Sequence, residues 1–235
     1  MPGILQFITR ASSLENHSFI PSSLGANSVV IDLGANTGFF TREISKRLGV
    51  RSYGIEANPN LCEKLKSDDR TTFHNVAICD RDGPIQLNLS NDHTSSSVVS
   101  NAVPDARGTV TVQGVTLAGF MKAQGISKVD LLKVDIEGAE VPLFKSLDDV
   151  TLKTIPQISI EFHDDHGFIT PAEGQSIRDR LVQLGFWGIK FASNNTNWLF
   201  YQPGVLGVGK IEHLYMANVV RNVRGGLRRF GIRPD

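Results

Sequence analysis

Short β-branched runs alternate along the chain with stretches in which apolar residues recur every three or four positions. SVVIDLG (28 to 34) is followed by Phe40, Ile44 and Leu48, and RSYGIEA (51 to 57) by Leu61 and Leu65. A strand period giving way to a helical one predicts two βα units. Gly49 closes the first helix, and Asn58-Pro59 opens the second as a cap followed by proline. A third strand is expected around Thr72 to Ile78. The polar region from Cys79 to Gly114 contains PIQLNLS and GTVTVQ, which alternate like an accessory hairpin. TLAGFMKAQG reads as a helix leading into VDLLKVDIEGAEVPLF (129 to 144), and PQISIEF (156 to 162) as a further strand. Thr170-Pro171-Ala172-Glu173 is a capping box, and Ile177, Leu181 and Leu184 give its helix one apolar face before Gly185. WGIKFAS and NWLFYQP flank Asn194-Asn195-Thr196 as an edge hairpin. The fold class is α/β, a mostly parallel sheet covered by helices. A helical segment is expected over 1–27, one domain over 28–204 and a tail over 205–235.

Composition narrows the function. With 235 residues and 40% hydrophobic content, one core is expected, and 24 basic against 24 acidic side chains give no global pull toward nucleic acid. The basic residues gather locally, as Arg221, Arg224, Arg228, Arg229 and Arg233. That tail reads as a frayed terminus, or else as a segment that covers the acceptor site, contacts an acidic substrate or mediates dimerisation. Cys62 and Cys79 form no disulfide framework and suit a reducing compartment. No apolar run approaches the roughly 18 residues of a membrane span, so membrane insertion is not expected and a cytoplasmic location is.

IDLGANTGFF places Gly34 and Gly38 between the first strand and its helix, where backbone can approach a ligand closely. Glu56 ends the second strand, where a carboxylate can accept hydrogen bonds from ribose hydroxyls. A dinucleotide would want G-x-G-x-x-G, but Asn36 stands at the middle glycine and Phe39 or Phe40 at the last. Asp32 suits a ligand with an ammonium group and a sulfonium. S-adenosyl-L-methionine fits this loop better.

VVIDLGANTGFF, YGIEANP, FHNVAICDRDG, VTVQGVTLAGFM, VDLLKVDIEGAE and ISIEFH, in this order, resemble the FkbM-type S-adenosylmethionine-dependent methyltransferases over roughly residues 28 to 200. The resemblance implies a Rossmann-like seven-stranded sheet with a small accessory β insertion, and O-methyl transfer to a small molecule such as a sugar, glycoside or polyketide. Carried onto this sequence, it puts Asp32, Gly34, Asn36, Gly38, Phe39 and Thr41 at the cofactor from the first loop. Glu56, Ala57 and Asn58 follow from the second, Asn75 and Val76 from the third, and Asp135 from the fourth. Ser95, Ser96 and Ser97 fall where the family also has small hydroxyl residues, and are expected to border the acceptor.

Strand VDLLKV should be buried, so carboxylates belong only at its end, where the ligand crevice opens. Asp135 and Glu137 lie two apart and should point the same way in extended backbone, and Glu161 and His163 repeat that spacing. These four are the candidate catalytic residues. Two routes to an activated hydroxyl stay open: His163 as general base, or Asp135 and Glu161 holding Mg²⁺ or Ca²⁺. Glu140 reads as a helix-dipole residue, and His17, His74, His93, His166 and His213 as packing or surface residues. The rival readings are a nicotinamide-dependent oxidoreductase and a methyltransferase-like domain that binds a partner without turnover.

Overall fold

A computed structural model of the protein describes residues 11–89, 96–97, 108–164, 168–191, 196–220 and 222. The first described element is a hairpin, β1 (Ser12–Leu14) and β2 (His17–Phe19), whose turn residues Glu15 and Asn16 have φ of 46° and 72°. A two-residue turn with both φ values positive matches the twist of the strands it joins. The expectation of a helical segment over 1–27 is therefore corrected for residues 11–27, where only Pro21–Ser23 makes a single helical turn. The hairpin prevails because the sheet supplies its partners: the Ile20 N–H donates to Gln157 Oε1 at 2.7 Å, while Leu14 and Phe19 pack on Phe40 and Ile44.

The predicted βα units follow as β3 (Val29–Leu33), α1 (Phe39–Leu48), β4 (Arg51–Ile55) and α2 (Pro59–Cys62), then β5 (Thr71–His74). The third strand is shorter than expected. Asn75 leaves the ladder to donate from Nδ2 to the carbonyls of Glu56 and Ala57, and Ala77–Ile78 become β6 of a second sheet. That sheet takes β7 (Gly83–Leu89), β8 (Ser96–Ser97) and β9 (Gly108–Val115) in the order β6-β9-β7-β8, with β7 and β9 antiparallel as the accessory hairpin predicts.

The chain then runs through α3 (Leu117–Ala123), β10 (Leu131–Val134), α4 (Glu140–Ser146), α5 (Asp149–Thr154), β11 (Gln157–Glu161) and α6 (Pro171–Gln183). It continues as β12 (Trp187–Lys190), β13 (Asn197–Tyr201), α7 (Pro203–Leu206) and α8 (Lys210–Tyr215), with a wider helical turn at Met216–Val220. The main sheet has seven strands in the order β12-β13-β11-β10-β3-β4-β5. Neighbours from β11 to β5 are parallel, and β13 runs against both β11 and β12. Strand order reverses between β3 and β10, so the crevice beyond their carboxyl ends is where such a sheet binds ligands. Ile31, Leu33, Leu132, Val134, Ile158 and Ile160 are fully buried on one face, and Val30 and Leu131 on the other. Burial on both faces explains why these strands are nearly continuous in apolar residues.

Candidate active site

The first loop is shaped by a close approach of backbone to backbone. Gly34 has φ 80°, and a Cβ there would lie 1.8 Å from the carbonyl oxygen of Asp135. No other residue fits. Asn36, at φ 48°, tolerates the left-handed region better than most side chains and donates its N–H to Glu56 Oε2 at 2.7 Å. Glu56 Oε1 accepts from the Asn58 N–H at 2.8 Å, so one carboxylate joins the first and second loops. Burial raises the Glu56 pKa above the ordinary carboxylate value, against the pull of these two N–H groups. Gly34, Asn36, Glu56, Ala57 and Val76 line a cleft at the reversal point of the sheet, together with Asp135 and Glu137. Leu61, Ile78 and Leu87 give it an apolar wall.

Below the cleft a polar row crosses the buried sheet. Asp32, Lys133 and Ser159 are in register on β3, β10 and β11. Lys133 Nζ lies 2.9 Å from Asp32 Oδ1 and 3.5 Å from Asp135 Oδ2, and donates to the Gly34 carbonyl at 2.8 Å. The Thr41 hydroxyl donates to Asp32 Oδ2 at 2.5 Å. Burial disfavours the charged amine, yet Asp32 and then Asp135 outweigh it and hold Lys133 above the usual lysine range. Charges this deep persist because they are paired.

At the carboxyl ends of β10 and β11 the titratable groups converge. His163 Nε2 lies 3.5 Å from Asp135 Oδ1 and 3.3 Å from Glu137 Oε2, while its Nδ1 meets Glu140 Oε1 at 2.9 Å. His17, from β2, places Nε2 3.4 Å from Asp135 Oδ2 and 3.9 Å from Glu161 Oε2, with Nδ1 3.3 Å from the Ser159 hydroxyl. Two sets of three ligand atoms, His17 with Asp135 and Glu161, and Asp135 with Glu137 and His163, each fit within 4.8 Å. Burial would raise the Asp135 pKa, but Lys133, then His17 and His163, hold it far below the usual carboxylate range. Glu137 and Glu161 are raised, chiefly by burial. Burial lowers the His163 pKa, but the hydrogen bond and charge of Glu140, then Glu137 and Asp135, outweigh it and push it up to about 10.

That shift bears on the expectation of His163 as a general base. Both ring nitrogens face carboxylates, which favours the doubly protonated ring without a lone pair and so disfavours His163 as the general base. Glu137 also reaches the cluster by a different path than strand alternation. β10 stops at Val134, and Glu137 is turned inward by a left-handed backbone at φ 49°. Asp32 and Thr41 brace the loop from below, bonded to each other. Phe39 is 44% exposed, Gly38 begins α1 at φ 74°, and Asn58 caps α2. These five and Asn75 are not among the residues that line the cleft, and Asn75 braces the second loop through its bonds to the Glu56 and Ala57 carbonyls. Ser95 lies outside the described residues, as do His93 and His166. Ser96 and Ser97 pair through β8 with β7, and their side chains are not among those described.

Three site residues escaped the sequence reading. Glu140 is fully buried on His163, not simply set at a helix dipole, and His17 is 1% exposed inside the site. Lys133 had a visible signal, a lone charge in an apolar strand that should be buried. His74 and His213 are packing residues as expected, stacked on Tyr53 and bonded to the Tyr201 hydroxyl respectively.

The family model of the methyltransferase FkbM domain matches residues 32–187. The chain belongs to the FkbM methyltransferase family. This FkbM methyltransferase is 24% identical over 163 residues to the 2-O-methyltransferase NoeI of Sinorhizobium fredii, covering 61% of this chain and 67% of NoeI. It is 36% identical over 62 residues to the AMB antimetabolite synthetase AmbE of Pseudomonas aeruginosa, covering 26% of this chain and only 3% of AmbE. Among solved structures, the METTL16 methyltransferase domain aligns with TM-score 0.44 at 10% identity, over 74% of this chain and 59% of that one. Precorrin-6y C5,15-methyltransferase from Geobacter metallireducens GS-15 aligns with TM-score 0.42 at 10% identity, over 77% and 85%. Among the described residues of this FkbM methyltransferase no helix is long and apolar enough to cross a membrane.

Family and fold imply S-adenosylmethionine as the methyl donor, and the cleft fits it. Glu56 lines the cleft, and its oxygens have lone pairs to spare beyond two N–H bonds, as hydroxyls of a ribose would require. Leu61, Val76 and Ile78 offer an apolar seat for a flat base, and Gly34 and Asn36 border the cleft on the side of the first loop.

Proposed function

We propose that this methyltransferase transfers a methyl group to a hydroxyl oxygen of a small-molecule acceptor, a sugar, glycoside or polyketide. The observation that carries this reading is the meeting of Asp135, Glu137, Glu161 and His163 at one edge of the donor cleft. NoeI, a relative at 24% identity, is a 2-O-methyltransferase, which supports this reading. The donor supplies an electrophilic methyl carbon on a sulfonium, whose C–S bond electrons return to sulfur as the new C–O bond forms. The protein must align the acceptor oxygen with that bond, exclude water and take the hydroxyl proton. Glu137 is the base in this reading. It lines the cleft, its pKa is raised by burial toward the working range, and its left-handed backbone holds the carboxylate inward at a conformational cost often found at functional sites. Asp135, kept anionic, and Glu161 hold neighbouring acceptor hydroxyls. The His163 imidazolium steadies the carboxylates and becomes a donor to the acceptor.

A second reading follows from the two ligand sets that share Asp135. There Asp135 and Glu161 hold Mg²⁺ or Ca²⁺, which lowers the acceptor hydroxyl's pKa. The Lys133 ammonium 3.5 Å from Asp135 already supplies positive charge to that carboxylate, and favours the metal-free route.

Calorimetry with S-adenosylhomocysteine tests the donor site: Glu56→Ala should weaken binding by about 1 to 3 kcal/mol, as charge-assisted hydrogen bonds are lost. Tight NADH binding with no response to S-adenosylhomocysteine would overturn it in favour of an oxidoreductase. With labelled donor and a panel of hydroxylated acceptors, Glu137→Gln should lower the rate by roughly 10²- to 10⁴-fold while leaving S-adenosylhomocysteine affinity unchanged. Loss of turnover on chelation, restored by Mg²⁺ or Ca²⁺, would select the metal route.

A further inference from the structure

His17 lies outside the stretch matched by the FkbM family model, residues 32–187, yet its ring is buried among the acid residues of the site. Its two nitrogens have different partners. Nε2 faces only carboxylate oxygens, Asp135 Oδ2 at 3.4 Å and Glu161 Oε2 at 3.9 Å, and a carboxylate accepts, so Nε2 carries the hydrogen. Nδ1 lies 3.3 Å from the Ser159 hydroxyl, which donates to a neutral ring or accepts from a charged one. The ring plane is fixed further by an edge contact with Phe40, centroids 5.9 Å apart at 79°. The strand that carries it is tied down on both sides. The Glu15 carboxylate accepts the Phe40 backbone N–H, and the Ile20 N–H donates to Gln157. His17 thus holds one oxygen of Asp135, and His163 approaches the other at 3.5 Å.

We propose that His17 is a positioning residue for methyl transfer: its Nε2–H donates to the Asp135 carboxylate, with Glu161 beside it, and holds Asp135 in the orientation that receives the acceptor hydroxyls. The inference rests on the acceptor site proposed above. It makes the amino-terminal hairpin a working part of the site and not a cover for the sheet. Adjacent carboxylates repel, and without the N–H on its Oδ2, Asp135 turns toward solvent or toward His163.

Side-chain geometry separates this role from packing. Glutamine can put an amide N–H near the place of Nε2, whereas asparagine reaches only the place of Nδ1. His17→Gln should keep kcat within about fivefold of wild type, while His17→Asn and His17→Ala lower it about 10- to 100-fold, the usual worth of residues that orient a site's ligands, with the donor KM nearly unchanged. Hydrogen exchange reads the same role without an acceptor: the amides of 135–139 should exchange at least about tenfold faster in the Asn and Ala variants and at the wild-type rate in the Gln variant. Equal exchange in all three variants, or a Gln variant as damaged as Ala, would overturn the proposal. A wild-type protein that methylates no hydroxyl would instead overturn the acceptor reading, and the exchange comparison would still decide the part played by His17.

Discussion

His163 is ringed by Asp135, Glu137 and Glu140, and its pKa is pushed up to about 10. In the unfolded chain that pKa is about 6.5. The stability that protonation contributes is therefore fully present below about pH 6.5 and is lost as pH rises through about 10. Ring-proton NMR should show a His163 that does not titrate between pH 6 and 8.5, and thermal melts should fall in temperature between pH 7 and 10. Glu140→Gln removes the strongest of the raising partners and should bring the titration down toward neutrality, and an unshifted midpoint in that variant would refute the assignment. Part of this was legible in the chain. Asp135 and Glu161 stood out because a buried parallel strand tolerates a carboxylate only at its end. His17 gave no such sign, since its partners Asp135 and Ser159 are 118 and 142 residues away and no local spacing encodes them.

The βα units, the accessory hairpin and the edge hairpin were legible because period, caps and turns agreed. Helix α6 shows this most fully: the Thr170 side chain accepts the Glu173 N–H at 3.2 Å and Glu173 accepts the Thr170 N–H at 2.9 Å, as the motif predicts. Thr170→Ala should cost about 1 kcal/mol of stability, seen as a lower melting temperature with S-adenosylhomocysteine affinity intact. What the sequence did not reveal was decided by tertiary partners. β1 and β2 are three residues each, too short for a reliable period, and they form where the sheet offers Gln157 and Ser159. β5 stops early because Asn75 bonds to the second loop and not to a strand.

The reversal of strand order between β3 and β10 gathers the first, second and fourth loops, drawn from residues 34 to 139, around one cleft. Hydrogen exchange with saturating S-adenosylhomocysteine should slow at 34–38, at 56–58 and at 76–78, and stay unchanged in α8, which is remote from the cleft. Protection confined to α8 would place the ligand elsewhere. The fold class was readable from alternation alone, whereas the junction of the acidic cluster with the amino-terminal hairpin was not, because it depends on which strands become neighbours.

The hairpin also orders events in time. Ile20 waits for Gln157, and His17 for Asp135, Ser159 and Glu161, so these polar partners of the hairpin lie at least 118 residues further along the chain. Contacts of such long sequence separation form late and slow the folding of a domain. The acidic cluster at the edge of the cleft is thus completed late, and a folding intermediate in which β11 has not docked lacks Glu161 together with Gln157 and Ser159, the anchors of the hairpin.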